Sequence, residues 1–182
     1  MADLATRTLA LSGFHGGSAS ASVSPAAPAR RLSLRAKPDA VAALSAALGV
    51  QLTTRPKTSA SSGSRHALWL GPDEWLIIDE TEADLPAAAA SSGVLHSATD
   101  ISHRNTALFV KGRGAEVTLN SGCPQDLSLA VFPVGACSRT VFGKAEIVLM
   151  RTAEDAFRVE CWRSFAPYVS GLLAEGAEDS GH

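Results

Sequence analysis

Residues 157–162 alternate between apolar and polar positions, and this pattern constrains the fold more than any other feature of the sequence. Every second residue from Phe157 to Cys161 is apolar, so in a β-strand these side chains share one face. A shift of one residue would move all of them to the wrong face, and the register is therefore well specified. We predict a hairpin in which residues 137–150 pair with this strand across a turn at residues 152–155.

A second hairpin is predicted around the turn at residues 71–74, and other elements surround the two hairpins in a similar order. This repeated order of strand, helix, hairpin, helix and strand predicts an α+β protein of two similar halves, residues 30–103 and 104–176, each a sheet covered by helices on one face. The strands of the second hairpin are residues 67–70 and 75–78; further strands are expected at 31–36, 94–102 and 106–111, helices at 38–49, 82–91 and from about 114, and loops at 53–64 and 123–135.

The last helix is predicted to begin at Ser164 as N-cap and to end near Gly176. The polar residues 177–182 are expected to form a flexible tail. The buried face of this helix is predicted to contain Phe165, Tyr168, Val169, Leu172 and Leu173.

The first 29 residues differ in composition from the rest of the chain. Ala, Ser, Gly and Pro account for 18 of them, and the stretch has no continuous apolar region of the kind that a secretory signal contains. Such a segment buries too little apolar surface to fold alone, so residues 1–29 are predicted to form a flexible arm.

Composition and charge exclude several functional classes. Hydrophobic residues make up 46% of the chain, which predicts a packed core, and the net charge of −2 without blocks of like charge argues against nucleic acid and anionic membranes as partners. The three cysteines are odd in number and widely spaced, which matches neither a disulfide framework nor a CxxC site. We therefore expect a reducing, cytoplasmic location.

No self-contained catalytic or cofactor site is predicted. Asp100, Ser102 and His103 bring together the residue types of a catalytic triad, but side chains so close in an extended segment alternate faces and cannot form the relay. The histidines are too dispersed for a zinc site. Residues 112–114 form a lone GxG, for which a tight turn is the more common structure. We expect no catalytic, cofactor-binding or metal-binding residue on this chain.

Four segments together resemble the gamma-subunit family of heterotetrameric sarcosine oxidases. The most specific stretch runs from GCPQDL to FGKA, and the similarity extends from about residue 31 to residue 173. The segments are LGPDEWLII at 70–78, ATDISHRNTALFVKGRGA at 98–115, SGCPQDLSLAVFPVGACSRTVFGKAEIVLMR at 121–151 and FRVECWRSFAPYVSGLL at 157–173.

This resemblance implies a reduced form of the folate-binding-domain fold of aminomethyltransferases. It also implies alpha, beta and delta partner subunits, with alpha the chief contact, in a complex that oxidatively demethylates sarcosine to glycine. The other products are hydrogen peroxide and formaldehyde or methylene-tetrahydrofolate. FAD, FMN, NAD and tetrahydrofolate are expected on the partner subunits, and this chain is expected to act as a non-catalytic assembly subunit.

Long loops and links are where partner contacts commonly lie. The N-terminal arm, the link between the two halves and the loop that begins at residue 123 are therefore candidates. The candidate interface residues are Ser102, His103, Arg104, Asn105, Cys123, Pro124, Phe132 and Pro133.

Two alternatives remain open from the sequence. The chain could be a free-standing folate-binding protein or enzyme of the aminomethyltransferase-like group, or an isolated module that binds a small molecule. The cysteine motif of the repair-type relatives in that group is missing, since Cys123 is followed here by Pro124 and Gln125.

Overall fold

The computed structural model describes residues 9–181, which form two antiparallel sheets and four α-helices. The strands are β1 (Gly16–Gly17), β2 (Ser22–Pro25), β3 (Arg30–Ala36), β4 (Ser59–Ser62), β5 (Arg65–Gly71), β6 (Glu74–Asp79), β7 (His96–Asp100), β8 (Asn105–Lys111), β9 (Cys137–Phe142), β10 (Ala145–Ala153) and β11 (Ala156–Trp162). The helices are α1 (Val41–Leu48), α2 (Leu85–Ala90), α3 (Ala115–Asn120) and α4 (Ala166–Asp179). None of these helices is long and apolar enough to cross a membrane.

The strand orders of the two sheets are related. The five-stranded sheet has the order β4-β5-β6-β3-β7, and the six-stranded sheet has the order β1-β2-β8-β11-β10-β9. The order β4-β5-β6-β3 in the first sheet corresponds to β9-β10-β11-β8 in the second, when strands are matched by their order along the chain. The strand beyond β3 is β7, whereas the strand beyond β8 is β2. Since β2 precedes residue 30, the six-stranded sheet is not built from the predicted second half alone, and the similarity of the halves stays a prediction.

The two sheets face each other, and helices cover their outer faces. Alternation along β6 shows this arrangement: Trp75 and Ile77 pack in the core beneath α1 and α2, whereas Leu76 and Ile78 pack in a layer shared with the six-stranded sheet. The core beneath α3 and α4 contains the alternating apolar residues predicted in β11. The result is a four-layer α+β fold in which the sheets are the two inner layers.

Local signals explain the ends of the first two helices. Gly49 ends α1 with φ of 63°, a left-handed conformation that glycine adopts without steric cost. The Asp84 carboxylate accepts a hydrogen bond of 3.0 Å from the Ala87 N–H and so caps α2, whose first turn contains Pro86. Both helices were predicted in these regions, and the hairpin of β5 and β6 is confirmed by its ladder.

Two strand predictions were incomplete. Residues 137–150, predicted as one strand, form β9 and part of β10, because Gly143 takes φ of 57° and turns the chain back on itself. The polar segment 53–64, predicted as a loop, contains the edge strand β4, which pairs with β5. Backbone hydrogen bonding to a neighbouring strand, which composition does not report, stabilises this polar strand.

Much of the predicted N-terminal arm is ordered structure. Residues 16–25 form β1 and β2, and β2 pairs with the otherwise open edge of β8. Ala21 and Val23 are fully buried beneath α4. The prediction of a flexible arm is therefore wrong for these residues, because the edge of β8 supplies partners that the segment alone does not have. Residues 1–8 lie outside the described residues.

The C-terminal helix also differs from its prediction. A short 3₁₀ turn at Arg163–Phe165 precedes α4, so Ser164 is not its N-cap, and the helix continues to Asp179 instead of ending near Gly176. Ala177, predicted to lie in a flexible tail, is fully buried and belongs to the core that also contains residues of β2 and α3. Phe165 and Tyr168, predicted as core residues, are about two-fifths exposed. Val169 and Leu173 are buried as predicted.

Candidate functional site

The predicted link between the halves lies between β7 and β8, and only part of it reaches solvent. Ser102 is buried: its Oγ accepts a hydrogen bond of 2.8 Å from the Arg31 N–H, and its own N–H donates to the Asp100 carboxylate at 2.8 Å. Hydrogen bonds from Ser102 lower the pKa of Asp100. Ser102 and Asn105 are therefore internal residues that offer a partner little surface, whereas His103 and Arg104 are exposed and remain candidates.

Arg104 belongs to an exposed group that we call the aromatic patch: Arg104, Trp162 and Phe165. The Arg104 guanidinium lies 5.2 Å from the centroid of the Trp162 ring, and the Trp162 and Phe165 centroids are 6.3 Å apart. The two rings are 40% and 42% exposed. The Arg163 N–H donates to the Arg104 carbonyl at 2.7 Å and holds the link against the end of β11. Reasoning from sequence missed Trp162, although it occupies a polar position of an alternating strand.

The loop at residues 123–135 divides into buried and exposed residues. Cys123 and Phe132, predicted as interface residues, are 5% and 2% exposed and belong to the core beneath α3 and α4, so they offer a partner almost no surface. They were selected because they lie in a long loop, but a loop can fold its larger side chains inward. Pro124 and Pro133 are exposed and remain candidates.

The same loop presents apolar side chains to solvent. Leu129, Val131 and Val134 are 44%, 57% and 51% exposed, and we call these three residues the apolar loop patch. Three large aliphatic side chains exposed within six residues are unusual for a soluble surface and are typical of a protein–protein contact.

A buried arginine holds this loop in place. The Arg151 guanidinium is fully buried and donates to the carbonyls of Leu127 and Glu154, and it pairs with the Glu116 carboxylate at 3.1 Å. The Gly135 N–H also donates to the Arg151 carbonyl at 2.9 Å. Arg151 therefore bonds to both the middle and the end of the loop, so the apolar loop patch is presented in a defined conformation.

A buried ionic network joins the two sheets. The Arg31 Nε of β3 donates to the Glu160 carboxylate of β11 at 2.6 Å, and the Arg158 Nε donates to the same carboxylate at 2.9 Å. Arg158 also pairs at 2.7 Å with Glu80, whose side chain is 42% exposed. Glu160 is 1% exposed and lies between two buried guanidinium groups. We call Arg31, Glu160, Arg158 and Glu80 the inter-sheet network, and the burial of Arg31, Arg158 and Glu160 between the sheets indicates a structural role.

The GxG segment at residues 112–114 is filled by the chain itself. The Gly114 N–H donates to the Ser20 carbonyl at 2.9 Å, and a Cβ at Gly112 would overlap the same carbonyl oxygen. This backbone approach occupies the position that a phosphate oxygen would take in a nucleotide site. The segment therefore does not fit a dinucleotide and serves to pack β2 against the start of α3.

The cysteines lack the features of reactive thiols. Cys123, Cys137 and Cys161 are free and buried, and burial raises the pKa of both Cys137 and Cys161 to about 12. These two thiols are therefore protonated at neutral pH. Within residues 9–181, no group of three or more His, Cys, Asp or Glu side chains is placed to hold a metal ion.

A cavity of about 370 Å³ lies beside α2. Its charged residues are engaged within the chain: Arg30 pairs with Glu82, Asp84 caps α2 and Asp100 accepts from Ser102. These interactions explain the charges of the cavity without a ligand.

Comparison with known proteins matches residues 33–178 to the sarcosine oxidase gamma subunit family. The gamma subunit from an Arthrobacter species is 33% identical over 136 residues, which cover 72% of this chain and 67% of that protein. The gamma subunit from Corynebacterium sp. strain U-96 is 32% identical over 154 residues, covering 82% of this chain and 75% of the relative.

Solved structures show the same relationship. A chain of the heterotetrameric sarcosine oxidase from Corynebacterium sp. U-96, in complex with pyrrole 2-carboxylate, superposes with a TM-score of 0.84 at 28% identity, covering 89% of this chain and 86% of that one. Aminomethyltransferase T of the glycine cleavage system from Bartonella henselae matches in fold, with a TM-score of 0.62 at 15% identity over 85% of this chain and 45% of the transferase. The predicted α+β, aminomethyltransferase-like fold is confirmed. Sequence, family model and fold agree with the resemblance predicted from the four segments, and the chain belongs to the sarcosine oxidase gamma subunit family.

Proposed function

We propose that this chain is the structural gamma subunit of a heterotetrameric sarcosine oxidase and contributes no catalytic side chain. Its partners are the alpha, beta and delta subunits, and alpha makes the main contact. Family membership and the TM-score of 0.84 to a chain of a heterotetrameric oxidase support this assignment.

The observation that best supports a structural role is the apolar loop patch, whose loop is bonded to the buried Arg151. Leu129, Val131 and Val134 expose apolar surface that is unfavourable in water and favourable in an interface. Arg151 holds their loop in one conformation, which reduces the conformational entropy lost on binding. An exposed and preordered apolar surface is what an assembly subunit requires.

The chemistry in this proposal belongs to the partner subunits. FAD, FMN, NAD and tetrahydrofolate bind there, where sarcosine is demethylated to glycine with hydrogen peroxide and formaldehyde or methylene-tetrahydrofolate as products. The GxG segment of this chain is closed by Ser20, and its burial-shifted thiols are poor nucleophiles. Free, buried cysteines are compatible with a cytoplasmic location for the complex.

Co-expression of this chain, carrying an affinity tag, with the three candidate partner chains of its organism tests the proposal. We expect four polypeptides, a flavin absorbance spectrum and sarcosine-dependent peroxide formation in the eluate. A lone, colourless polypeptide would contradict the assignment. Saturable binding of tetrahydrofolate to the isolated chain would instead support a folate-binding protein.

A double substitution of the apolar loop patch tests the surface itself. Leu129→Asp with Val131→Asp should reduce recovery of the alpha chain at least tenfold, because two carboxylates would be buried on assembly. Leu95→Asp is the matched control, because Leu95 is 83% exposed and directly precedes β7 of the five-stranded sheet. This variant should leave recovery unchanged. Equal recovery of both variants would exclude this patch as the main contact.

A further inference from the structure

The aromatic patch is a second exposed surface, distinct from the apolar loop patch. The apolar loop is held at the Arg151 end of the β10–β11 ladder, where Arg151 pairs with Phe157. Trp162 pairs with Asn105 at the opposite end of β11. Trp162 lies five positions beyond Phe157 along an extended strand, a distance of roughly 16 Å. One small contact therefore does not include both surfaces.

The patch lies where the six-stranded sheet extends beyond the cover of the other sheet. Arg158, Glu160 and Trp162 alternate onto the same face of β11. Arg158 and Glu160 are buried against the five-stranded sheet, but Trp162 is 40% exposed. Val141, near the same end of the sheet on β9, is 42% exposed. The inner face of the six-stranded sheet is thus open at this end, where Glu146, the ladder partner of Val141, is also exposed.

The charge of the patch indicates what covers it. Within residues 9–181, the Arg104 side chain has no carboxylate partner, and its Nε donates only to the Asn105 side chain at 3.3 Å. Arg139, near the same opening, is by contrast paired with Glu74. Arg104 therefore offers a guanidinium that lies near the Trp162 ring and whose remaining N–H groups can donate to both oxygens of a carboxylate.

We propose that the aromatic patch binds a segment of a partner subunit that carries a carboxylate next to an apolar side chain. A carboxylate of that segment pairs with Arg104, and a neighbouring apolar side chain packs on Trp162 and Phe165. Exposed tryptophan next to arginine is the composition most enriched at the energetic centres of interfaces, which agrees with this assignment. The inference rests on the proposed function, because the segment belongs to another chain of the oxidase complex.

Charge reversal at Arg104 is the main test. In the tagged complex purified from co-expressed chains, Arg104→Glu should weaken the association of this chain with its partners about tenfold, because a carboxylate would then face a carboxylate. Arg104→Lys should weaken it less, since the charge remains but the bidentate geometry is lost. Arg113→Glu is the matched control, because Arg113 is exposed at the turn after β8, and this variant should associate normally.

Trp162 provides an independent variant. Trp162→Ala should weaken association about tenfold. The effect of Arg104→Glu should shrink when salt is raised from about 0.05 M to about 0.5 M, whereas that of Trp162→Ala should persist. Thermal unfolding of each purified variant establishes that it is folded.

The outcomes separate this inference from the proposed function. If the wild-type chain recovers no partners, the proposed function fails. If the wild type assembles, the apolar loop variant does not, and Arg104→Glu assembles normally, only the inference about the aromatic patch fails. If the isolated chain dimerises and Arg104→Glu abolishes the dimer, the patch binds a second copy of this chain and the inference is wrong.

Discussion

Two neighbouring positions on the same face of β11 have opposite environments. Glu160 is 1% exposed and bonded to two buried arginines, whereas Trp162 is 40% exposed beneath a solvent-facing Arg104. The alternation of the strand places both side chains on the inner face of the six-stranded sheet. Burial follows from where the five-stranded sheet ends, so a charged residue is buried and an aromatic residue is exposed.

The buried position is expected to determine stability, and the exposed position is expected to determine association. A carboxylate without water must be compensated by neighbouring charges and hydrogen bonds, so removing any member leaves the others uncompensated. A side chain that keeps contact with water has no such dependence. Substitutions at buried charges should therefore destabilise the isolated chain much more than substitutions at exposed positions.

Neutralising the centre of the inter-sheet network should have the largest effect. Glu160→Gln keeps the shape of the side chain but leaves Arg31 and Arg158 without their shared carboxylate, and we expect a loss of about 3–5 kcal/mol in the free energy of unfolding. Urea unfolding of the isolated chain measures this. Glu82→Gln, which breaks the exposed pair with Arg30, is the control and should cost about 1 kcal/mol or less. Similar losses for the two variants would show that burial does not decide the effect.

Removing the arginine beneath the apolar loop patch should have the next largest effect. Arg151→Met leaves the loop carbonyl of Leu127 and the turn carbonyl of Glu154 without their donor, and we expect a loss of about 2–4 kcal/mol in the free energy of unfolding together with faster proteolysis within residues 123–135. Limited proteolysis and mass spectrometry locate the cleavage. Arg35→Met, which breaks an exposed pair with Asp73, should change neither quantity appreciably. Unchanged cleavage in Arg151→Met would mean that the loop is held by other contacts.

Acid should destabilise the chain in two steps. Burial and the nearby Arg158 charge lower the pKa of His66 below its ordinary value of 6.5, so the unfolded state takes up the proton first and stability falls as the pH drops below about 6.5. Hydrogen bonds from Ser102 lower the pKa of Asp100 below 3.8, so a second loss follows below about pH 4. Urea unfolding as a function of pH measures both steps. His66→Asn should remove the first step only, and an unaltered profile would assign that step to another group.

Truncating the exposed aromatic residue should affect stability least. Trp162→Ala removes a side chain that is already in contact with water, so the isolated chain should lose about 1 kcal/mol or less. The same substitution is predicted above to weaken association with the partners. Thermal unfolding of the isolated chain and recovery of the complex measure the two effects. If Trp162→Ala lost more unfolding free energy than Glu160→Gln, the expected contrast between the exposed and the buried position would be wrong.

Local patterns predicted the elements whose stabilising contacts are close in sequence. The turn at residues 71–74 joins two apolar strands, and Gly49 supplies the left-handed cap that ends α1, so both elements could be located from neighbouring residues. The strand pair β1 and β2 could not, because its partner β8 lies more than 80 residues away. The burial of Cys123 and Phe132, which were predicted as interface residues, could not be seen from the sequence for the same reason, since it depends on α4 and on strands that are distant in sequence.

Alternation, turn residues and characteristic segments are local properties, so the α+β class, the two hairpins and membership in the family could be predicted from the residues alone. Which faces meet depends on the tertiary structure. It joined Arg31 to Glu160 across 129 positions, buried Arg151 beneath a loop and left Trp162 outside the cover of the second sheet. The physical reason is that hydrogen bonding and desolvation depend on distances in space, and polar residues of one strand face can be buried or exposed according to what packs against them.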